Sequence, residues 1–292
     1  MRSGLSPTEQ RNPRSMNLHS LSTMKAIDLM LAEEATVARQ LQSIKPQLKK
    51  LLAAVVGAFR CGGRLFYVGA GTSGRIAALD ASECPPTFGT PPNMVQALVA
   101  GGKQALHKSV EGAEDDEQAG KRAVKAHRIS KRDLVMGIAA SGYTPFVWSA
   151  LTEAKRHGAR TALLCFNPYL KLQASRRPDI FIALNLGPEV LTGSTRLKAG
   201  TATKIILNLL TTLSMVRLGK VVSNLMVDLK PTNAKLRARA VRIVGELTGK
   251  TECESRAALE ANRWIIKRAL TSLRRARASR PHLRSQARRL RS

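Results

Sequence analysis

From Ser22 to Phe59 apolar residues recur at helical spacing: Ile27, Met30, Leu31, Ala35, Val37 and Leu41, then Leu48, Leu51, Leu52, Val55 and Val56. Pro46 splits the run, so the pattern predicts two helices, the second ending at Cys61-Gly62-Gly63. Leu65-Phe66-Tyr67-Val68 is then a short run of strand formers that stops at Gly69, with a helix expected from about Ser73. The same unit recurs. Leu134–Ile138 stops at Ala139-Ala140-Ser141-Gly142, and Pro145 to His157 reads as a helix with proline in its first turn. Val95–Val99, Ala162–Cys165 and Ile180–Leu184 are three further apolar runs of strand length. Long helical patterns follow at Leu197–Leu218 and Asn233–Leu247.

Strands alternating with helices predict an α/β fold, a doubly wound parallel-sheet αβα sandwich of the flavodoxin-like kind, with N-terminal helices and a C-terminal helical segment. Ligands of such a sheet bind at the carboxyl ends of the strands. The expected organisation is an N-terminal arm over residues 1–21, the sandwich with its flanking helices over 22–249, and a helical segment with a basic tail over 250–292. The longest apolar stretch, Ile205–Val216, is interrupted by Asn208, Thr211, Thr212 and Ser214, so no membrane crossing is expected. The first residues carry no apolar core of a secretory leader, and a cytoplasmic location is expected.

Two loops at the predicted strand ends carry candidate chemistry. Gly69-Ala70-Gly71-Thr72-Ser73-Gly74-Arg75 lets backbone amides approach an anion at Gly71, adds the hydroxyls of Thr72 and Ser73, and opens a helix whose positive end faces the loop. Its G-x-G-x-x-G spacing also fits a dinucleotide site, but two neighbouring hydroxyls favour a phosphomonoester. The second loop, Ser141-Gly142-Tyr143-Thr144, repeats the combination of hydroxyl and amide. Two such loops at one sheet edge would clamp a sugar phosphate.

Between them, Asp80-Ala81-Ser82-Glu83-Cys84-Pro85-Pro86 places a glutamate ahead of two prolines expected to end the helix. Partial burial beside Cys84 and Phe88 would raise the Glu83 pKa into a range useful for acid/base work. A second acidic group, Glu111, Glu114, Asp115, Asp116 and Glu117, has five acids in seven residues. Acids at a helix start also serve simply as caps, and both readings stand. Ser194, Thr195 and Lys198 stand at another helix start, where contact with a ligand and ordinary capping are equally open.

Thr8-Glu9-Gln10-Arg11-Asn12-Pro13, the loop 69–75 running into 80–88, the stretches 110–115 and 137–145, and Gly193-Ser194-Thr195-Arg196-Leu197-Lys198-Ala199-Gly200-Thr201 together resemble the N-acetylmuramic acid 6-phosphate etherase family. The likeness runs in the same order from about Thr8 to Gly249, over four-fifths of the chain. It implies the sugar isomerase (SIS) fold and cleavage of the D-lactyl ether of N-acetylmuramic acid 6-phosphate to N-acetylglucosamine 6-phosphate and D-lactate. The implied catalytic pair is Glu83 and Glu114. The implied substrate contacts are Gly71, Thr72, Ser73, Ser141, Gly142, Thr144, Ser194, Thr195 and Lys198. A homodimer with a small sugar phosphate as its partner is implied, and no metal or organic cofactor. The animal glucokinase regulatory protein carries related motifs without known etherase work, so a non-catalytic sugar-phosphate sensor is the alternative. Tyr143 departs from the family, which commonly has a small or basic residue there.

Charge bears on the tail. Of 48 Lys and Arg against 20 Asp and Glu in 292 residues, eleven bases and no acid lie in 263–292, leaving +17 of the net +28 on the first 262 residues. The tail has no aromatic residue after Trp264 and no recognition module, which argues against nucleic acid as a partner. The four cysteines, Cys61, Cys84, Cys165 and Cys253, are spaced for neither a zinc site nor a disulfide framework, and the five histidines match no triad or metal spacing.

Overall fold

A computed structural model of the chain describes residues 5–278; the basic tail from 279 onward lies outside the described residues. The described chain forms two compact units. One comprises 5–84 and 91–218, and the other 85–90 and 219–278, a division at a different place from the boundary expected at residue 249.

The first unit is a five-stranded parallel sheet. Its strands are β1 (Leu65–Gly69), β2 (Val95–Val99), β3 (Leu134–Ile138), β4 (Arg160–Cys165) and β5 (Ile180–Ala183), in the order β2-β1-β3-β4-β5. This is the flavodoxin-like order, with its topological switch point between β1 and β3. All five strands coincide with the apolar runs of the sequence. Strands β1 and β3 are buried at every position, as expected of a sheet covered on both faces.

The helices of this unit are α1 (Thr23–Leu41), α2 (Lys45–Arg60), α3 (Gly71–Phe88, which continues into the second unit from Pro85), α4 (Glu117–Ala126), α5 (Pro145–Arg156) and α6 (Lys198–Arg217). Pro46 sits in the first turn of α2, where its missing N–H costs nothing. One face is filled by Phe66, Val68, Val135, Phe146, Val147, Ala150, Leu151 and Leu163. On this side α4 presses against α5 closely enough that a side chain on Gly120 would collide with Ser149 and the Phe146 carbonyl. Helix α6 is long and apolar enough to cross a bilayer, but more than half of it is buried inside the unit, the behaviour of a core helix.

A buried carboxylate ties three of these elements together. Asp80 of α3 accepts hydrogen bonds from the Tyr67 hydroxyl of β1 (3.0 Å) and from Asn208 (2.8 Å) and Thr211 (3.1 Å) of α6. Burial raises its pKa, and the three donors pull the other way.

Two expectations change. The arm does not lie extended: Pro7–Glu9, Pro13–Ser15 and Leu18–Ser20 each form a 3₁₀ turn, and Ser6, Thr8 and Asn12 are buried. Nor do the prolines end α3, which contains both Pro85 and Pro86 and runs on to Phe88. Proline removes the amides of these two positions and disfavours the helix interior. The turn is nevertheless closed, because Gly89 N–H donates to Pro85 O (2.9 Å) and the Cys84 and Phe88 side chains are buried.

The second unit contains a hairpin of β6 (Val221–Val222) with β7 (Leu225–Met226), and helices α7 (Ala234–Thr248), α8 (Glu252–Ala261) and α9 (Ile266–Ala278) around Val227, Leu229, Val241, Val244, Leu259 and Leu270. Asn233 caps α7, and Thr251 with Glu254 forms a capping box on α8. Segment 85–90 is fastened by Lys220 Nζ, which donates to Phe88 O (3.1 Å) and to Asp228 (3.1 Å).

The cysteines divide by environment. Cys61 and Cys253 are exposed. Burial, with the charges of Asp80 and Glu83, pushes the Cys84 thiol up to about 12, and burial pushes Cys165 to about 11. Because the thiolate is the reactive form, a maleimide at pH 8 is expected to label Cys61 and Cys253 rapidly in the native protein, and the other two only after denaturation. Peptide mass mapping of the labelled sites checks this, and native labelling of Cys84 or Cys165 would contradict the packing around them.

Candidate functional site

The parallel register places Gly69 beside Ile138, so the loops that leave β1 and β3 emerge together at the carboxyl edge of the sheet, next to the switch point. In the first loop α3 begins at Gly71, earlier than the sequence pattern suggested. Gly71 has φ +52°, a left-handed conformation that favours glycine. Gly69 and Gly74 serve close approach: a side chain on Gly74 would meet Val99 at 2.7 Å and the Gly69 carbonyl at 2.8 Å. That contact sets the first turn of α3 against the end of β1. The N–H of Gly74 is bonded to Ala70 O (3.2 Å), whereas the helix leaves the N–H groups of Gly71, Thr72 and Ser73 without partners inside it. Half-buried Thr72 and Ser73 add their hydroxyls.

The second loop is held from behind. Asn167 donates to Ser141 O (3.1 Å), Trp148 Nε1 donates to Gly142 O (2.7 Å), and Leu170 packs on Gly142, whose φ is +87°. The loop carbonyls are thereby occupied. Ser141 Oγ accepts only the Tyr143 N–H (3.3 Å), so its proton is free to be donated, and the Thr144 hydroxyl makes no capping bond.

A third segment reaches the same place from α6. A side chain on Gly200 would touch Thr72 Cγ2 at 3.5 Å and Thr195 O at 3.6 Å, so the start of α6 lies directly against the first loop. Ser194 and Thr195 are half-buried in the turn before it. Lys198 does not face a ligand. It is 3% exposed, and its ammonium is bonded to Glu33 of α1 and to Leu186 O. A buried ammonium bonded to a carboxylate and a carbonyl acts as a structural tie, where a substrate contact was expected.

The acids separate. Ala70, Gly71 and Arg75 share a cavity of about 160 Å³ with Ser109, Val110, Glu111 and Glu114. Arg75 fixes its far wall by donating to Ala105 O (2.8 Å) and Lys108 O (3.1 Å). Glu114, exposed in a 3₁₀ turn at Ala113–Asp115, therefore lies beside the first loop, while Asp116 acts as the cap of α4 through Ala119 N (2.7 Å). The capping reading of the acidic cluster thus applies to Asp116, while Glu114 caps nothing among the described residues and faces the cavity.

Glu83 is exposed on α3, where partial burial was expected. Ten residues of helix separate it from Ser73, about 15 Å at 1.5 Å per residue. Of the two expected catalytic acids, only Glu114 lines the cavity of its own chain's first loop.

Three residues with structural roles at the site were not singled out from the sequence. Glu33 accepts from Asn12 (3.0 Å) and Arg14 (2.8 Å) besides Lys198; burial alone would raise its pKa, but Lys198, Asn12 and Arg14 outweigh it and the net shift is downward. Its signal was its place on the buried stripe Glu33, Val37, Leu41 of α1. Glu189 caps α6 through the amides of Lys198 (3.0 Å) and Ala199 (2.9 Å), with its pKa raised by burial; nine residues upstream of the helix, it left no local signal. Arg75 belonged to the loop but had no visible partner.

A five-stranded 2-1-3-4-5 sheet with paired hydroxyl-bearing loops at its carboxyl edge is the arrangement of the SIS fold. The family model for the glucokinase regulatory protein N-terminal SIS domain matches residues 47–155. Among solved structures, a putative phosphosugar isomerase involved in capsule formation from Bacteroides fragilis superposes with a TM-score of 0.52 at 21% identity, covering 70% of this chain and 95% of that one. A phosphoheptose isomerase from Francisella tularensis gives 0.51 at 18%, covering 67% and 100%. At these identities they show the fold.

Sequence relatives are far closer. N-acetylmuramic acid 6-phosphate etherase 2 of Vibrio parahaemolyticus is 50% identical over 254 residues, 87% of this chain and 84% of that protein. The N-acetylmuramic acid 6-phosphate etherase of Geobacillus thermodenitrificans is 47% identical over 91% and 90%. The chain belongs to the N-acetylmuramic acid 6-phosphate etherase family.

The assignment of Lys198 to structure has a direct test. Removing one partner of a buried ion pair typically costs about 3–5 kcal/mol, so Lys198→Met is expected to lower the thermal midpoint sharply. Protonating Glu33 acts in the same direction. Its folded pKa lies below the unfolded one, so its contribution is complete above the ordinary carboxylate range and is lost as pH falls through the lowered value. Limited trypsinolysis at Arg11 and Arg14 should therefore become faster in Lys198→Met at neutral pH, and the thermal midpoint of the wild type should fall under acid. A variant with unchanged midpoint and unchanged cleavage would show that the pair does not hold the arm.

Proposed function

We propose that the protein cleaves the D-lactyl ether of N-acetylmuramic acid 6-phosphate, as a carbon–oxygen lyase of cell-wall recycling in the cytoplasm. The observation that carries this reading is half-identity to an etherase over 87% of the chain, and the presence here of both glutamates and both loops that the family resemblance implies accords with it. The alternative of a sugar-phosphate sensor requires the loops but neither carboxylate.

In this reading the amides and hydroxyls of Gly71, Thr72 and Ser73, with Ser141, Gly142 and Thr144, receive the 6-phosphate, and Ser194 and Thr195 contact the sugar. Ring opening exposes an aldehyde at C1, which acidifies the proton on C2. A base takes that proton as the C3–O bond breaks, and an acid protonates the departing D-lactate oxygen. Water then adds at C3 of the unsaturated aldehyde, the proton returns to C2, and ring closure gives N-acetylglucosamine 6-phosphate. We assign the C2 proton to Glu114, and lactate protonation followed by water activation to Glu83.

Both acids must reach carbons of one small hexose, whereas about 15 Å of helix separates Glu83 from the phosphate loop of its own chain. The reading therefore requires a homodimer in which Glu83 of a second copy completes each site. Supporting this, Glu83 stands beside Leu79, which is 54% exposed, and α6 presents Leu209, Leu213 and Val216 to solvent at i, i+4, i+7 spacing. Such apolar surface on a charged chain suits contact with another copy.

Purified protein incubated with N-acetylmuramic acid 6-phosphate is expected to release D-lactate, while Glu83→Ala and Glu114→Ala are each expected to be inactive yet still bind sugar phosphate. Mixing equal amounts of the two inactive variants under subunit exchange should restore about a quarter of the activity, since about half of the dimers are mixed and each mixed dimer holds one intact site of two. No lactate from the wild type, with sugar phosphate still bound, would establish the sensor instead. Lactate from the wild type but none from the mixture would place both glutamates in the same chain's site.

A further inference from the structure

The motif Thr8–Pro13 is not accounted for by the chemistry assigned so far, yet the fold takes care to fix it in place. Asn12 donates to Glu33 and to Pro188 O (3.2 Å), Ser15 donates to Val190 O (2.7 Å), and Gly193 N–H donates to Thr8 O (3.1 Å). These bonds lay the arm along segment 186–195. The residue they deliver is Glu9, whose carboxylate stands over Gly193: a side chain on that glycine would come within 3.4 Å of Glu9 Oε2.

Glu9 contributes little to the fold itself. It is exposed, and the one hydrogen bond to its carboxylate among the described residues, from the Thr8 hydroxyl, is long at 3.4 Å. No cation among the described residues pairs with it, although the chain carries 48 Lys and Arg. Its neighbours belong to the site. Thr195 N–H closes a tight turn onto Gly193 O (3.0 Å), and Thr195 lies one contact from Gly200 and so from Thr72 of the first loop.

The loops and turns assembled there offer amides and hydroxyls, which are chiefly donors and suit a phosphate. A sugar also brings hydroxyl and amide protons that need acceptors, and a carboxylate is the strongest acceptor a side chain supplies. We infer that Glu9 is a substrate-positioning residue whose carboxylate accepts hydrogen bonds from hydroxyl groups of the sugar bound beside Ser194 and Thr195, fixing the sugar's orientation while the loops hold its phosphate. This deepens the sugar-phosphate reading above and rests on it.

The test compares wild type, Glu9→Gln and Glu9→Asp. The rate of D-lactate release is measured against N-acetylmuramic acid 6-phosphate concentration, and binding of N-acetylglucosamine 6-phosphate and of inorganic phosphate is measured by calorimetry. A hydrogen bond to a charged group corresponds to about tenfold or more in affinity. Glu9→Gln should therefore raise KM and the sugar-phosphate Kd by about that factor, leave the phosphate Kd and the thermal midpoint unchanged, and be partly reversed in Glu9→Asp. KM and Kd within about twofold of wild type in Glu9→Gln would overturn the inference, as would an equal loss of affinity for inorganic phosphate. If the wild type releases no lactate, the activity reading fails by itself, and the two binding constants still decide the role of Glu9.

Discussion

The ion pair between Lys198 and Glu33 holds together the parts of the first unit that build the site. Burying two opposite charges carries a desolvation cost that their attraction offsets only when the remaining donors and acceptors are also satisfied. Here they are: Lys198 reaches the Leu186 carbonyl, and Glu33 receives Asn12 and Arg14. Four segments far apart in sequence thus meet at one point: the arm, α1, the stretch after β5 and the first residue of α6. The pair also fixes where α6 begins, and with it the turn bearing Ser194 and Thr195. Glu189, capping the same helix end from the side, constrains its direction.

A second constraint comes from α3. Its first turn supplies the free amides that suit a phosphate, and its middle supplies Asp80, locked by Tyr67, Asn208 and Thr211. With both ends of that stretch fixed, the rigid helix decides where Glu83 can be. No side-chain rotation spans the distance back to Ser73. A helix with free amides at one end and an acid on an exposed face further along fits the proposal that this acid serves a neighbouring copy, and Glu114, beside the segment held by Arg75, stays with the loop of its own chain.

Much of this was legible in the sequence because it depends on local rules. Five strands announced themselves as short apolar runs, the first of them ending at Gly69, and Gly71 and Gly142 stand where the backbone takes positive φ. The residues misread were those governed by distant partners. Lys198 looks like a ligand contact at a helix start until Glu33, 165 positions earlier, is known to face it. The prolines of α3 obey their usual preference only when no surrounding packing outweighs it, and Cys84 and Phe88 supply that packing. Residues 5–21 look like an extended arm by composition, because what folds them is hydrogen bonding to carbonyls of Pro188 and Val190 and to Glu33.

The charge distribution bears on the chemistry in the same way. On a chain of net charge +28, an acid with structural duty acquires a cation or several donors, as Glu33, Asp133 and Glu153 do. Among the described residues Glu9 and Glu114 pair with no cation, although Glu114 stands beside the first loop, and Glu83 is equally unpaired on its exposed helix face. Carboxylates left free in this way keep their lone pairs for a hydroxyl or a proton of the substrate. The surplus of bases on the body of the protein then has a simple physical reading: it raises the local concentration of small anions, while these acids stay without a cation in direct contact among the described residues.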